Sequence, residues 1–391
     1  MNVLHVVPTY VPAWRHGGPI LAVHGLCKAL AARGHAVTVF TTDVHGDGRL
    51  EVPLAEPVAV DGVEVWYFPV RYFPVLSGRL YYSPALGAAA RDGVRRFDLL
   101  HLHSVFLWPT SAAARAAERA GVSYVVSPRG MLVPALMKAR GRWRKRAWML
   151  FAERRTLERA AALHATSDLE AEEAARLGLS LPPVFVIPNG IDPAPWDGDL
   201  AALSPPVRAL LADGRPFALF LGRLSWKKGL DRLIPALAQA PGVILAVAGN
   251  DEEGLTAGLE RLARDSGVAE RVSLLGPVHG ADKAALLHRA LALVLPSHSE
   301  NFGNVVLESW AAGRPAIVTP EVGLAAAVRE SGGGRVVEGD PRRLGGALRD
   351  LAADPETATE MGRKGSVAAA ERFGWGAAAA AMEKVYEGMR T

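Results

Sequence analysis

Short apolar runs alternate along this chain with stretches whose apolar residues recur every three or four positions. Val3 to Val7, Val37 to Thr42, Glu64 to Pro69, Asp98 to His103, Tyr124 to Ser127 and Val184 to Ile187 read as strands. Between the first two, Ile20, Val23, Leu26, Cys27 and Leu30 fall at helical spacing, with Pro19 suited to the first helical position and Arg33-Gly34 to the end. The alternation resumes after a proline- and aspartate-rich stretch that ends near Pro206 and reads as a linker. Phe217 to Leu221, Val243 to Ala248, Arg271 to Leu275, Ala290 to Leu295, Ala316 to Thr319 and Arg335 to Val337 form the second set of strands, and alanine-rich helices close the chain. Strand–helix alternation in both halves predicts an α/β protein with parallel sheets. It divides the chain into residues 1–195 and 207–373, with a last helix over about 374–391. No solenoid period is present.

A chain of 391 residues can bury two such cores. It holds no run of eighteen uncharged apolar residues, so no transmembrane helix is expected. MNVLHVVP enters a strand directly, with no basic leader segment, and the expectation is a cytoplasmic protein. Cys27 lacks an internal disulfide partner and reads as a small core residue. The net charge of +4 is unevenly placed: residues 1–195 carry 22 Lys and Arg against 16 Asp and Glu, the remainder 22 against 24. Lys138 to Arg155 alone holds eight basic residues and one acidic. One basic segment argues against a nucleic-acid surface and for a local docking patch. Drawn as a helix, 138–157 sets Trp143, Ala147, Leu150, Phe151 and Leu157 on one side and Lys138, Arg142, Lys145 and Arg146 on another. A peripheral helix on the cytoplasmic membrane surface and an ordinary packed helix with a solvated basic face both fit.

The chemistry concentrates in PSHSENFGNVVLESWAAGRPAIVTP, Pro296 to Pro320. A polar loop follows a buried strand, turns helical around Val305 to Ala312, stops at Gly313 with Pro315 behind it, and leads into the next strand. Glu300 precedes the loop-to-helix turn and Glu308 lies in the second turn of the helix. Backbone N–H groups at a helix start favour anions, while carboxylates accept from hydroxyls. A ligand with phosphate and polyol parts suits that arrangement, and a sugar nucleotide is such a ligand. Gly17-Gly18 opens the first helix, where it fits either a close phosphate approach or a plain tight turn. It is not GxGxxG, which disfavours a dinucleotide-dependent dehydrogenase.

The pair Glu300 and Glu308, separated by seven residues and followed by Gly313-Arg314-Pro315, resembles the signature of retaining GT-B glycosyltransferases of family 4. Gly222-Arg223-Leu224-Ser225-Trp226-Lys227-Lys228-Gly229 resembles that family's diphosphate loop, Pro188-Asn189-Gly190-Ile191-Asp192 its PNGID turn, and Phe373-Gly374-Trp375 its terminal segment. The resemblance spans both halves. It implies two Rossmann-like βα domains facing an interdomain cleft, with the terminal helix crossing back onto the first. Arg223 and Lys228 would then stabilise the departing diphosphate, Glu300 bind sugar hydroxyls, Glu308 bind ribose hydroxyls, and Asn301, Phe302, Gly303 and Asn304 offer backbone N–H groups to sugar and phosphate. Gly17 and Gly18 would approach phosphate, and Asn250 and Val278 hold the base through backbone. Lys227 is expected to be exposed.

Ser127-Pro128-Arg129-Gly130-Met131 resembles a subgroup that builds surface polysaccharides. Many relatives carry histidine where this chain has Arg129, which can clamp phosphate but cannot act as a base at neutral pH. His103 reads either as lining the cleft or as a buried, satisfied core histidine. What the resemblance implies is a retaining, metal-independent hexosyltransferase that uses no cofactor beyond its nucleoside diphosphate sugar donor. Its acceptor would be a saccharide or a polyprenyl-linked saccharide at the inner face of the cell membrane. Asp197-Gly198-Asp199 lies in the linker with no strand before it and reads as turn chemistry, not a metal site. Two rival readings stand beside this: a nucleotide-sugar epimerase on the same fold, and a non-catalytic nucleotide-sugar-binding protein.

Overall fold

Parallel strands covered by helices on both faces need near-continuous apolar runs, and this chain supplies them twice. The computed structural model describes residues 1–13, 18–46, 48–71, 80–132, 153–192, 195–196 and 198–389. The chain forms two compact units, Met1–Gly190 with Trp375–Thr391, and Ile191–Gly374.

The first unit is built on β1 (Asn2–Val6), β2 (Ala36–Thr42), β3 (Val44–His45), β4 (Gly48–Arg49), β5 (Pro57–Val60), β6 (Val63–Phe68), β7 (Leu99–His103), β8 (Tyr124–Ser127), β9 (Ala162–Ala165) and β10 (Val184–Val186). Eight of these make one sheet in the order β10-β9-β8-β7-β1-β2-β6-β5, with β3 and β4 a separate antiparallel ribbon. The sheet is parallel except for β5, which pairs antiparallel with β6. The helix Gly18–Ala32 buries Ile20, Val23, Leu26, Cys27 and Leu30, the residues whose spacing predicted it. Ala378, Ala379, Met382, Val385 and Tyr386 of the last helix, Trp375–Glu387, enter the same core. His35 Nε2 donates to the Glu383 carboxylate at 2.9 Å, and Arg33 also pairs with that carboxylate.

The second unit carries β11 (Phe217–Leu221), β12 (Ile244–Ala248), β13 (Val272–Gly276), β14 (Ala292–Leu295), β15 (Ala316–Val318) and β16 (Gly334–Val336). All pair in parallel, in the order β13-β12-β11-β14-β15-β16. Separate apolar clusters fill the two faces, around Trp310 and Leu286 on one and Leu233 and Leu348 on the other. Leu203, Ile191 and Trp196, from the stretch read as linker, pack with the first of these clusters. Asp199 accepts the Ala201 N–H at 2.8 Å, the turn chemistry expected of it, while Asp197 lies outside the described residues.

Both sheets reverse their winding at the centre. From β11 the chain runs outward through β12 and β13, then returns to place β14 on the other side of β11. In the first unit the corresponding pair is β1 and β7. Connections leaving such neighbours diverge and open a crevice at the carboxyl ends of the strands, where ligands of doubly wound sheets bind.

Gly25 sits where a side chain would strike the last helix: a Cβ there would lie 2.3 Å from the Trp375 ring. Gly25→Val should therefore destabilise the first unit by about 1–3 kcal/mol. The melting temperature falls by roughly 2–4 °C for each kcal/mol. Trp375→Ala removes the clash, so a double-mutant cycle followed by calorimetry should show strong non-additivity. Strictly additive losses would show that the two residues do not touch.

Candidate active site

The second unit gathers its charged side chains at the ends of β11 and β14. After β11 the loop is tied to its neighbour strand: Leu224 N–H donates to Asn250 O at 2.7 Å. Ser225 Oγ and Trp226 N–H donate to Glu253 at 2.8 and 3.1 Å. A single 3-10 turn, Trp226–Lys228, then ends at Gly229 with φ +74°. A Cβ at Gly229 would lie 1.9 Å from Pro296 O, so only glycine lets this loop reach the loop after β14.

That approach sets Lys228 Nζ against the Glu300 carboxylate, an ion pair with both side chains less than one-fifth exposed. Glu300 is fixed through its backbone as well, donating to Glu321 O at 3.1 Å and accepting from Gly323 N–H at 2.9 Å. Burial acts to raise the Glu300 carboxyl, but the Lys228 ammonium, with Lys227 and Arg223 beyond it, outweighs burial and holds it below the ordinary carboxylate range. Phe302 is buried beneath the loop, and Gly303 precedes the helix Asn304–Ala311.

Glu308, one turn further, accepts from Lys283 Nζ at 2.9 Å through Oε1. Its Oε2 is buried with no hydrogen-bond partner among the described residues. Arg223 Nη1 donates to Glu252 at 2.8 Å on the open side of the loop. Lys227, expected to be exposed, is half-buried; desolvation lowers its ammonium from the usual range, Glu300 opposes that, and Lys228 and Arg223 reinforce it. The loop geometry turns the chain inward here, so a charge that reads as solvated in sequence joins the cluster. Asn250 lines the loop after β12, and Val278 points into the core. Any ligand contact of Val278 is therefore through its backbone.

In the first unit, Arg129 follows β8 with φ +55°, and two further non-glycine residues in the left-handed region, Ser104 (+72°) and Phe106 (+61°), follow β7. Strained backbone of this kind gathers at functional loops. Arg129 Nη1 donates to Asn189 Oδ1 at 2.8 Å and Nη2 to His103 Nδ1 at 3.3 Å, while its Nε is buried without a partner among the described residues. Burial lowers the guanidinium from its ordinary value and Glu170 partly restores it; the group remains protonated. Glu170 holds the loop, accepting from Gly130 N–H and Thr166 N–H, both at 2.7 Å. Gly18 opens its helix, whereas Gly17 lies outside the described residues.

Sequence reasoning missed Lys283, Asn189 and Glu170. Asn189 had a signal in the PNGID turn; a lysine in an amphipathic helix and a glutamate two residues inside a helix start have none. His103 is fully buried and bonded, the second of the two readings held open for it. Most of the basic segment, residues 138–152, lies outside the described residues. At the end of that segment, Leu157 is buried and Arg155 pairs with Glu118 at 2.8 Å. Among the described residues no helix is long and apolar enough to cross a membrane. A groove of about 740 Å³ between β10 and the last helix is lined by Phe185, Val186, Ala377, Ala381 and Met389, with Lys384 its charged side chain. It lacks the convergent polar groups of a substrate site.

The family profile described as a glycosyl transferase 4-like domain matches residues 17–190, and that described as glycosyl transferases group 1 matches residues 207–367. A D-inositol 3-phosphate glycosyltransferase of Xylanimonas cellulosilytica is 32% identical over 393 residues, covering 95% of this chain and 91% of that protein. Among solved structures, sucrose-phosphate synthase from Thermosynechococcus elongatus superposes with a TM-score of 0.77 at 22% identity, over 100% of this chain and 99% of that one. Anabaena HepE, in complex with UDP and glucose, superposes with a TM-score of 0.75 at 20% identity over the whole of both chains. The paired glutamates and cations at the winding reversal of the second sheet thus sit in a known scaffold, and the chain belongs to the GT-B glycosyltransferases of the family 4, or group 1, type.

Proposed function

We propose that this enzyme transfers a hexose from a nucleoside diphosphate sugar, with retention of anomeric configuration, to a saccharide acceptor. The observation that carries the donor half is Glu308 Oε2, a buried carboxylate oxygen with no donor among the described residues, beside an oxygen already satisfied by Lys283. A buried acceptor left unmade costs about 1–3 kcal/mol, and a ribose hydroxyl would satisfy it. Glu300, ionised and held by Lys228, would take sugar hydroxyls. Arg223, Lys227 and Lys228 surround the position a diphosphate would occupy, and Asn301 to Asn304 would present N–H groups to sugar and phosphate. HepE, which shares the fold, is described with UDP and glucose bound, and this supports a nucleotide-sugar donor.

In the chemical step the bond from the anomeric carbon to the diphosphate oxygen breaks as the acceptor hydroxyl attacks from the same face. The departing oxygen takes the hydroxyl proton. Arg223 and Lys228 would stabilise the negative charge that develops, without need of a divalent ion. Arg129 would meet phosphate oxygens of the substrate.

Two acceptor classes are in view. The basic segment 138–157 favours a lipid-linked saccharide for surface polysaccharide assembly at the inner membrane face. The name of the 32%-identical relative favours a small phosphorylated polyol, whose phosphate the Arg129 guanidinium would also suit.

A thermal-shift panel of UDP-, GDP- and ADP-sugars should show one family raising the melting temperature with the logarithm of ligand concentration over its dissociation constant; no response to any would remove the donor reading. Lys228→Ala should lower kcat by about 10²–10³ through lost stabilisation of the leaving group. Glu308→Gln should instead raise KM for the donor with kcat little changed, since its contact is made in ground and transition states alike. Donor incubated alone should yield no isomerised sugar nucleotide, and an epimer in the product would favour the epimerase reading. Charge reversal at Arg142, Lys145 and Arg146 should abolish flotation with anionic vesicles; unchanged flotation would rule out docking through this segment.

A further inference from the structure

Four histidines lie inside the first sheet, where parallel-sheet cores are ordinarily apolar: His5 on β1, His101 and His103 on β7, and His164 on β9, all buried. Nitrogens of His5, His101 and His103 lie within 4.8 Å of one another, a spacing that suggests a metal site. The hydrogen bonds argue otherwise, because each of two chains begins at a group with one possible role.

Ile187 O can only accept, so His164 Nε2 carries the proton at 2.8 Å and His164 Nδ1 is bare. Ser127 Oγ therefore donates to His164 Nδ1 at 2.7 Å and, its one proton used, accepts from His101 Nε2 at 2.6 Å. His101 Nδ1 is then bare and accepts from the Tyr386 hydroxyl at 2.7 Å. The second chain starts from Arg129, which can only donate. Its bond leaves His103 Nδ1 bare, so His103 Nε2 donates to His5 Nδ1 at 2.9 Å, and the His5 proton sits on Nε2, buried without an acceptor among the described residues. All four rings are neutral Nε2–H tautomers. Burial, with the Arg129 charge adding to it, holds their basicities far below the ordinary histidine range. The lone pairs of the trio are already engaged, and a cation among them would face the guanidinium.

We propose that His103, its Nε2–H taken up by His5, is a positioning residue for Arg129. It supplies a neutral acceptor that, with Asn189 Oδ1, aims the guanidinium with no carboxylate bonded to it among the described residues, Glu170 acting only through space, and this leaves the positive charge for a phosphate oxygen of the substrate. This rests on the reading that Arg129 meets the substrate. A carboxylate in place of His103 would hold the arginine equally well and quench it.

The test is a pair of near-isosteric variants of the full-length enzyme, His103→Asn and His103→Asp, with Arg129→Ala beside them. Asn can place its amide oxygen where Nδ1 stands, so the conservative variant should lose no more than about threefold in kcat/KM, whereas Asp should lose about a hundredfold, the scale of one lost oxyanion contact. Both should melt together and keep the thermal shift given by the sugar nucleotide. Side-chain nitrogen NMR should report Nε2–H for all four histidines. Equal activity of the Asn and Asp variants, an Nδ1–H tautomer at His103, or one equivalent of tightly held zinc would overturn the inference. Full activity of Arg129→Ala would instead overturn the reading of Arg129 on which it stands.

Discussion

The contact on which the proposed donor subsite depends is the approach of two backbones at Gly229 and Pro296. Without a side chain at Gly229, the loop after β11 can lie against the loop after β14, and only then do Lys228 and Glu300 meet. An ion pair this far from water is held by the desolvation that either charge would suffer alone. It also keeps Glu300 ionised, which a hydroxyl-binding carboxylate requires. Each consequence follows from one absent methyl group at the point where the sheet changes direction.

A second theme is that the charges at this site are arranged against one another. Arg223 is matched by Glu252, Lys228 by Glu300 and Lys283 by Glu308, so the subsite is nearly neutral as it stands. A diphosphate entering would exchange these carboxylate partners for phosphate oxygens, and its affinity is the difference between two sets of salt bridges, not the sum of one. Arg129 in the first unit is the contrast: its bonded partners are an amide oxygen and an imidazole, and Glu170 acts on it only through space.

Most of the strands and the two-unit α/β plan were legible because buried parallel strands demand apolar runs, as Phe217–Leu221 and Ile244–Ala248 show. The antiparallel hairpin of β5 and β6 was half read: Val63–Phe68 is long enough to show, but Pro57–Val60 is a half-exposed edge of four residues that opens with a proline. The loop from Glu300 to Asn304 was legible as a motif. What could not be read was which lysine would answer which glutamate, since Lys227 and Lys228 differ only in the direction a single 3-10 turn gives them. The histidines were individually visible in DLLHLH and ALHA, but their pairing depends on sheet order, with β1 and β7 brought together from 98 residues apart.

The last helix has a further implication for how the protein comes to be. Tyr386 closes one of the two hydrogen-bonded chains inside the first sheet, and its neighbours Met382 and Val385 complete that sheet's apolar cover. During synthesis the opening strands leave the ribosome long before these residues exist, and the whole second unit is made in between. The second unit can thus reach its finished form as a nascent chain, while the first waits, with a polar group and a greasy face uncovered, for its own sequence to return.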